Sequence, residues 1–188
     1  MKVTRAQVEL NRERILDSAA QLFRERGFDG IGLNDLMQAA GLTRGGFYGH
    51  FESKEDLAAQ ASRRALAANR EHWGQLGDRA GLERWIKGYL SAAHGEHLGE
   101  GCAFAALAGD AARATPAVQQ AFAEGVEELL AVLAPQLPEA EPAERRQHAL
   151  ALLSSLVGAL LLSRAVGEPG LARELRQATR EQALAALG

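Results

Sequence analysis

Apolar residues recur along this chain at spacings of three and four, and no stretch alternates apolar with polar residues. That pattern predicts helices throughout. Over residues 11–26, Ile15, Ala19 and Phe23 recur four apart, with Leu16, Ala20 and Leu22 beside them. Arg12, Arg14, Arg24, Glu25 and Arg26 take the other faces, and Gly27 follows as a stop signal. Two short helices are expected over residues 33–40, ended by Gly41, and 44–50, with Thr43 as N-cap. Ser53 opens a longer helix to about Gln75, and Asp56 stands three residues on, at the spacing of a capping box. Further helices are expected over 82–97, with Trp85, Ile86, Tyr89 and Leu90 on the apolar side, and over 102–113. Thr115 and Pro116 open another, to about Leu133. Pro142 starts one that stops at Gly167, and Pro169 starts the last, to about Leu187. The fold class is all-α: about nine helices, the first three forming a head and about six forming a body.

Residues 149–163 carry no charge. The run is shorter than the 18–20 or so apolar residues that span a bilayer, and His148 and Arg164 bracket it. It reads as a helix buried on most of its circumference, against the core on one side and a second subunit on the other. No membrane role is expected. At 188 residues, 47% hydrophobic and 24% charged, the chain is ordinary globular material, which excludes disorder and collagen. The single cysteine, Cys102, cannot form an internal bridge, and the charged N-terminus shows no apolar leader; both fit the cytoplasm. Glycines at 74, 77 and 81 place a boundary, giving a head over 1–52, a linking helix over 53–76 and a body over 77–188. The net charge of −3 is not that of a nucleic-acid binder, so any such role must rest on a local face. Residues 1–66 hold ten Lys and Arg against nine Asp and Glu, an asymmetry of the right sign but small. Lys2, Arg5, Arg12 and Arg14 are candidates for a basic N-terminal arm, with ordinary surface charge as the plain alternative.

Residues 33–57 carry the chemistry. Leu36, Ala39 and Ala40 give the first short helix a flat packing face, Gly41 makes the turn, and Leu42 plugs the angle. This is a helix-turn-helix, whose turn often needs glycine's freedom of φ. The second helix offers only Thr43, Arg44, Gly45 and Gly46 at its start. So little bulk can enter a major groove deeply. Tyr48, His50 and Lys54 follow as phosphate donors.

The stretches RILDSAAQLFRERGFDG, AAGLTRGGFYGHF and SKEDL, in unbroken order over residues 12–57, resemble the TetR family of transcriptional regulators. The rest of the chain is similar only in its pattern of helices. The resemblance implies that Thr43 and Arg44 approach base edges, Arg44 at a guanine. Gly45 and Gly46 would allow close backbone approach. Tyr48, His50 and Lys54 would bind phosphates, and Phe47 and Phe51 would be core. The family usually has Thr or Ser at the position of Gly32, which here can cap but cannot donate a hydroxyl; Asn34 is the available substitute. The implied function is a ligand-responsive repressor that binds a palindromic DNA operator as a homodimer, through its last two long helices. It needs no cofactor, and no catalytic arrangement is visible.

Trp85, Tyr89, Cys102, Phe104 and Phe122, with Trp73, are the candidates to line a pocket for a small-molecule effector; large side chains at helical spacing are more often simply core. Cys102 follows Gly101 at a helix start, where a thiol can be activated, although Glu96 and Glu100 oppose a thiolate. A redox- or electrophile-sensing regulator is therefore one alternative. A helical small-molecule binder with a vestigial head is the other. His94 and His97 stand three apart, but two ligands do not make a metal site, and no metal is expected.

Overall fold

The computed structural model describes residues 4–73, 76–138 and 141–187, and among them every regular element is helical. The α-helices are α1 (Arg5–Arg26), α2 (Leu33–Ala39), α3 (Lys54–Trp73), α4 (Arg79–Tyr89) and α5 (Ala92–Glu96), then α6 (Ala103–Ala111), α7 (Pro116–Leu133), α8 (Pro142–Ala165) and α9 (Pro169–Ala185). Short 3-10 helices cover Arg44–Gly49 and Ala134–Gln136.

Helix α1 begins at Arg5, six residues before the expected start at Asn11. Thr4 caps it, its hydroxyl accepting from the Gln7 amide at 3.2 Å, and Gln7 bonds Asn11 one turn on. This first part has no buried stripe: Val8 and Leu10 are exposed. Apolar periodicity could not report a helix held by its cap. Arg5, Arg12 and Arg14 are therefore helical rather than part of an extended arm, and Lys2 lies outside the described residues. Arg12 is also engaged internally. Its guanidinium lies 5.2 Å from the centre of the Phe51 ring and bonds the Gln60 carboxamide on α3.

The expected helix over 82–97 is two helices. Asp78 caps α4 at Gly81, and the chain breaks at Leu90 and Ser91. Ser91 then caps α5, accepting from the His94 amide at 3.2 Å. His94 completes the joint: its Nδ1 lies 2.7 Å from the Tyr89 carbonyl at the end of α4. A side chain thus takes up a helix-terminal carbonyl, so the break leaves no orphan acceptor there.

Helix α3 joins the two parts. Leu57, Ala58, Ala61 and Ala65 bury its inner side, and the buried cluster continues from Ile15 and Phe23 of α1 through Leu82, Leu107 and Leu130 to Leu156 of α8. The crossing of α3 with α7 is close because residue 125 is glycine: a Cβ there would lie 2.9 Å from Leu66 Cδ1. Arg63–Glu124 at 3.1 Å and Arg70–Glu128 at 3.6 Å flank this crossing. Ser53 caps α3 as expected, accepting from the Asp56 amide at 3.1 Å. Asp56 reaches back to the Glu52 amide at 3.1 Å, one residue before the N-cap. Residues 74 and 75, where that helix was expected to end, and the Trp73 side chain lie outside the described structure.

Helix α8 is long and apolar enough, by length and composition, to cross a membrane. Its Leu152, Leu153, Leu156 and Leu160 are buried in this chain's own core, as in any central helix. The opposite face leaves Leu150, Leu161 and Leu162 exposed, and Leu171 of α9 is exposed as well.

Candidate functional site

Helix α2 has no side-chain cap: Gly32 stands at its N-cap in an extended conformation and Asn34 is exposed. The helix ends at a turn in which Gly41 takes φ 72°, and the Leu42 amide donates to Met37 O at 2.8 Å. Only glycine adopts that φ without strain. The segment after the turn, expected as a short helix over 44–50, is a helix of the 3-10 type, Arg44–Gly49, closed by Gly46 N to Thr43 O and His50 N to Phe47 O bonds of 3.0 and 2.9 Å. Two successive glycines give little α-propensity, and the tighter helix suits so short a piece. Thr43 holds the N-cap position, but its side chain makes no capping bond.

Phe47 fixes this element. It is fully buried, against Phe51 at 5.8 Å between ring centres, while Tyr48 beside it is 72% exposed. Burying one such ring contributes about 1.5–3 kcal/mol. Thr43, Arg44, Gly45 and Gly46 are exposed together on the outer side. Nothing among the described residues requires the two glycines. Neither has positive φ; a Cβ on Gly45 would meet open space, and one on Gly46 would meet only Met37 Cε at 3.8 Å. Neither packing nor backbone strain accounts for their bareness.

The three phosphate candidates are less alike. Tyr48 presents its ring outward. His50 is half-buried, with Nδ1 turned inward and lacking a hydrogen-bond partner among the described residues. Lys54 is half-buried and lines a cavity of about 230 Å³ at the seam between head and body, with Phe28, Asp29, Asp110 and Arg113. At this seam Asp110 of α6 accepts from the Phe28 amide at 3.2 Å, just beyond the end of α1.

A second cavity, of about 520 Å³, lies between α1 and α3 on one side and α4 to the start of α6 on the other. Trp85 and Tyr89 form an aromatic wall, ring centres 4.9 Å apart, and Ala65, Ala68 and Gly88 leave space beside it. Arg24, Asn69, Arg84 and Glu100 supply polar groups. Cys102 also lines it, but it is 1% exposed. Burial pushes its thiol pKa up, against the opposing pull of the Tyr89 hydroxyl, the Ala105 and Phe104 amides and Arg164. The helix start therefore does not make it an activated thiolate. Tyr89 is raised well above its ordinary value, also by burial first.

Phe104 and Phe122 are elsewhere. They pack edge to face at 5.8 Å in the core and are not part of this cavity's wall. His94 Nε2 accepts from the Cys102 amide at 3.1 Å while Nδ1 serves the Tyr89 carbonyl, so the ring is a structural staple carrying its proton on Nδ1. His97 bonds Ala93 O through Nδ1 at 2.7 Å. Among the described residues no three His, Cys, Asp or Glu side chains gather to hold a metal ion.

Sequence reasoning missed Arg24. It belongs to α1 of the head, yet its Nε donates to Gly99 O at 2.6 Å and its side chain lines the second cavity. In sequence it looked like one more solvated cation on an amphipathic helix, and a contact across 75 positions leaves no local signal.

Comparison with known proteins agrees with this architecture. The profile of bacterial regulatory proteins of the tetR family matches residues 15–61. The profile of the LmrA/YxaF-like transcriptional regulator C-terminal domain matches residues 79–180. The regulator AcrR of Shigella flexneri is 39% identical over 57 residues, 30% of this chain and 26% of AcrR. The repressor NemR of Escherichia coli is 37% identical over 65 residues, 35% of this chain and 33% of NemR. These curated relatives are thus matched over only a quarter to a third of their length. The solved structure of reduced E. coli NemR superposes with a TM-score of 0.80 at 22% identity, covering 95% of this chain and 97% of that one. A TetR-family regulator from Cytophaga hutchinsonii gives 0.79 at 18% identity, covering 100% and 98%. At such identities the structures speak for the fold alone. With one family profile on the exposed helix-turn-helix and another spanning more than half of the chain, over the body that holds the cavity, this protein belongs to the TetR family of bacterial transcriptional regulators.

Proposed function

We propose that this chain is a cytoplasmic, effector-responsive repressor that acts by binding and not by catalysis. Residues 1–52 form the DNA-reading head, 53–76 the linking helix and 77–188 the effector and dimerisation body. Thr43 and Arg44 read base edges, Arg44 at a guanine; Gly45 and Gly46 let the backbone close on the groove; Tyr48, His50 and Lys54 hold phosphates. The observation that carries the reading is the bare, exposed recognition turn, seated on buried Phe47 in a chain that also holds an open cavity.

Two copies associate through the exposed leucines of α8 and α9, pairing those helices into a four-helix bundle. Two heads then meet two half-sites of a palindrome. The effector occupies the cavity beside Trp85 and Tyr89. Because Ala65, Ala68 and Asn69 of α3 line that cavity, an occupant moves the helix whose other end abuts the recognition element. A difference of about 3 kcal/mol in DNA affinity between the two states changes affinity roughly a hundredfold.

Selection of binding sites from a random duplex library, at fixed moderate salt, tests the reading. Enrichment of a palindrome with two half-sites is expected. No enrichment at any salt concentration would overturn it in favour of a body with a vestigial head.

A further inference from the structure

The cavity beside Trp85 combines two features that together specify a ligand. One wall is aromatic, with Trp85 and Tyr89 tilted at 38° to each other, and small residues leave the facing space open. The polar groups are unbalanced in charge. Among the described residues Arg24 and Arg84 stand against the single carboxylate of Glu100, and the His94 ring is engaged with the Tyr89 carbonyl and the Cys102 amide. Arg84 forms no ion pair among the described residues. Arg24 forms none either; among the described residues its one hydrogen bond, through Nε, goes to the Gly99 carbonyl. The remaining N–H groups of its guanidinium are suited to a planar, two-oxygen acceptor. Burial lowers the pKa of Arg24, with Cys102, Glu25 and Glu100 working the other way, as expected of a cation short of solvent and of a close counter-ion.

We propose that the effector is a flat aromatic anion, stacked on Trp85 and Tyr89 with its carboxylate or similar group received by Arg24. The assignment rests on the cavity being the effector site. It has a consequence for coupling, because Arg24 is a residue of α1. The anion would bind the DNA-reading head directly as well as through α3. The same guanidinium holds the loop before α6 through Gly99 O, and a Cβ on Gly99 would lie 2.3 Å from Glu25 Oε1 of α1. Helix α5, from which that loop leaves, lies against α8, where Arg164 donates to His94 O at 2.9 Å and to Gly95 O at 3.1 Å. An anion at Arg24 thus acts at the point where head, cavity loop and α8 meet.

The test is calorimetric titration of the full chain with 2-naphthoate and with 2-naphthamide, which has the same shape without the charge. One naphthoate per chain is expected, at least about tenfold tighter than the amide, the worth of a charge-assisted hydrogen bond. Arg24→Met should erase that preference, and Arg24→Lys should keep part of it. Arg84→Met, at an exposed site, should reduce the preference several-fold and serves if Arg24→Met fails to fold. Gly88→Leu, whose Cβ points into open space on the cavity wall, should block both compounds. Equal binding of acid and amide, or a preference that survives both arginine substitutions, would overturn the anion assignment and leave the cavity reading standing. No binding of either compound, or binding that Gly88→Leu leaves unchanged, would overturn both.

Discussion

Replacing Asp110 with alanine should destabilise the chain by about 1–2 kcal/mol, and the structure says why. Asp110 Oδ2 accepts from the amide of Phe28, a residue only 9% exposed. Without it that amide is buried beside no acceptor. A hydrogen bond to a charged group is worth about 1.5–3 kcal/mol, and its length of 3.2 Å argues for the lower end. The neighbouring Arg113–Asp110 pair, at 3.1 Å, adds little, because Arg113 is 76% exposed and water screens it. Two controls separate the terms. Asp110→Asn keeps a carbonyl acceptor and should retain at least half of the stability. Arg113→Ala should cost no more than about 0.5 kcal/mol. Urea unfolding followed by far-ultraviolet circular dichroism measures all three. In thermal scans each kcal/mol appears as a fall of about 2–4 °C at this chain length. If Asp110→Ala stayed within the ~0.5 kcal/mol of an inert surface change, or Arg113→Ala matched it, the amide bond would not be what holds α6 to the end of α1.

Arg44→Ala should weaken binding to the selected operator by about 1–3 kcal/mol and relax preference at one base pair, read by titration against variant duplexes; a uniform loss across sequences would make Arg44 a phosphate contact. Ser53→Ala removes the acceptor of the Asp56 amide and should cost about 0.5–2 kcal/mol in the same urea assay, whereas Ser53→Asp should restore it. Leu161→Glu with Leu162→Glu should abolish the proposed dimer in sedimentation equilibrium, and a mass unchanged from that of the parent chain would place the interface elsewhere. Stability should decline as pH rises above about 8.5, where an exposed thiol ionises, because burial keeps Cys102 protonated in the folded chain while the unfolded chain loses that proton. Cys102→Ser should flatten this limb of the pH profile. Native Cys102 should also react with iodoacetamide more slowly than the unfolded chain at every pH.

The sequence by itself determined the helical class, the helix-turn-helix and the exposed residues of its second element. Each of these is local. Period-four apolar spacing, the Ser53–Asp56 cap, the stop at Gly27 and the turn at Gly41 all act within a few residues. Local physics also set the limits of that reading. The first turns of α1 rest on Thr4 and carry no buried stripe, so periodicity missed them. The break after Tyr89 is sealed by a histidine side chain, which the apolar pattern of that region does not register. The 3-10 form of Arg44–Gly49 comes from two glycines whose effect is on helix type and not on its presence.

Tertiary structure alone decided which aromatic residues share a cavity. Trp85 and Tyr89 line it, while Phe104 and Phe122, equally eligible by spacing, pair in the core. It alone decided that Cys102 is sealed against the protein interior, where desolvation outweighs the favourable helix start. It also brought Arg24 from the head into the body and set Asp110 on the end of α1. Periodicity records which face of a helix is buried. It holds no information on which distant surface that face meets, because the partners are chosen by the packing of the whole chain.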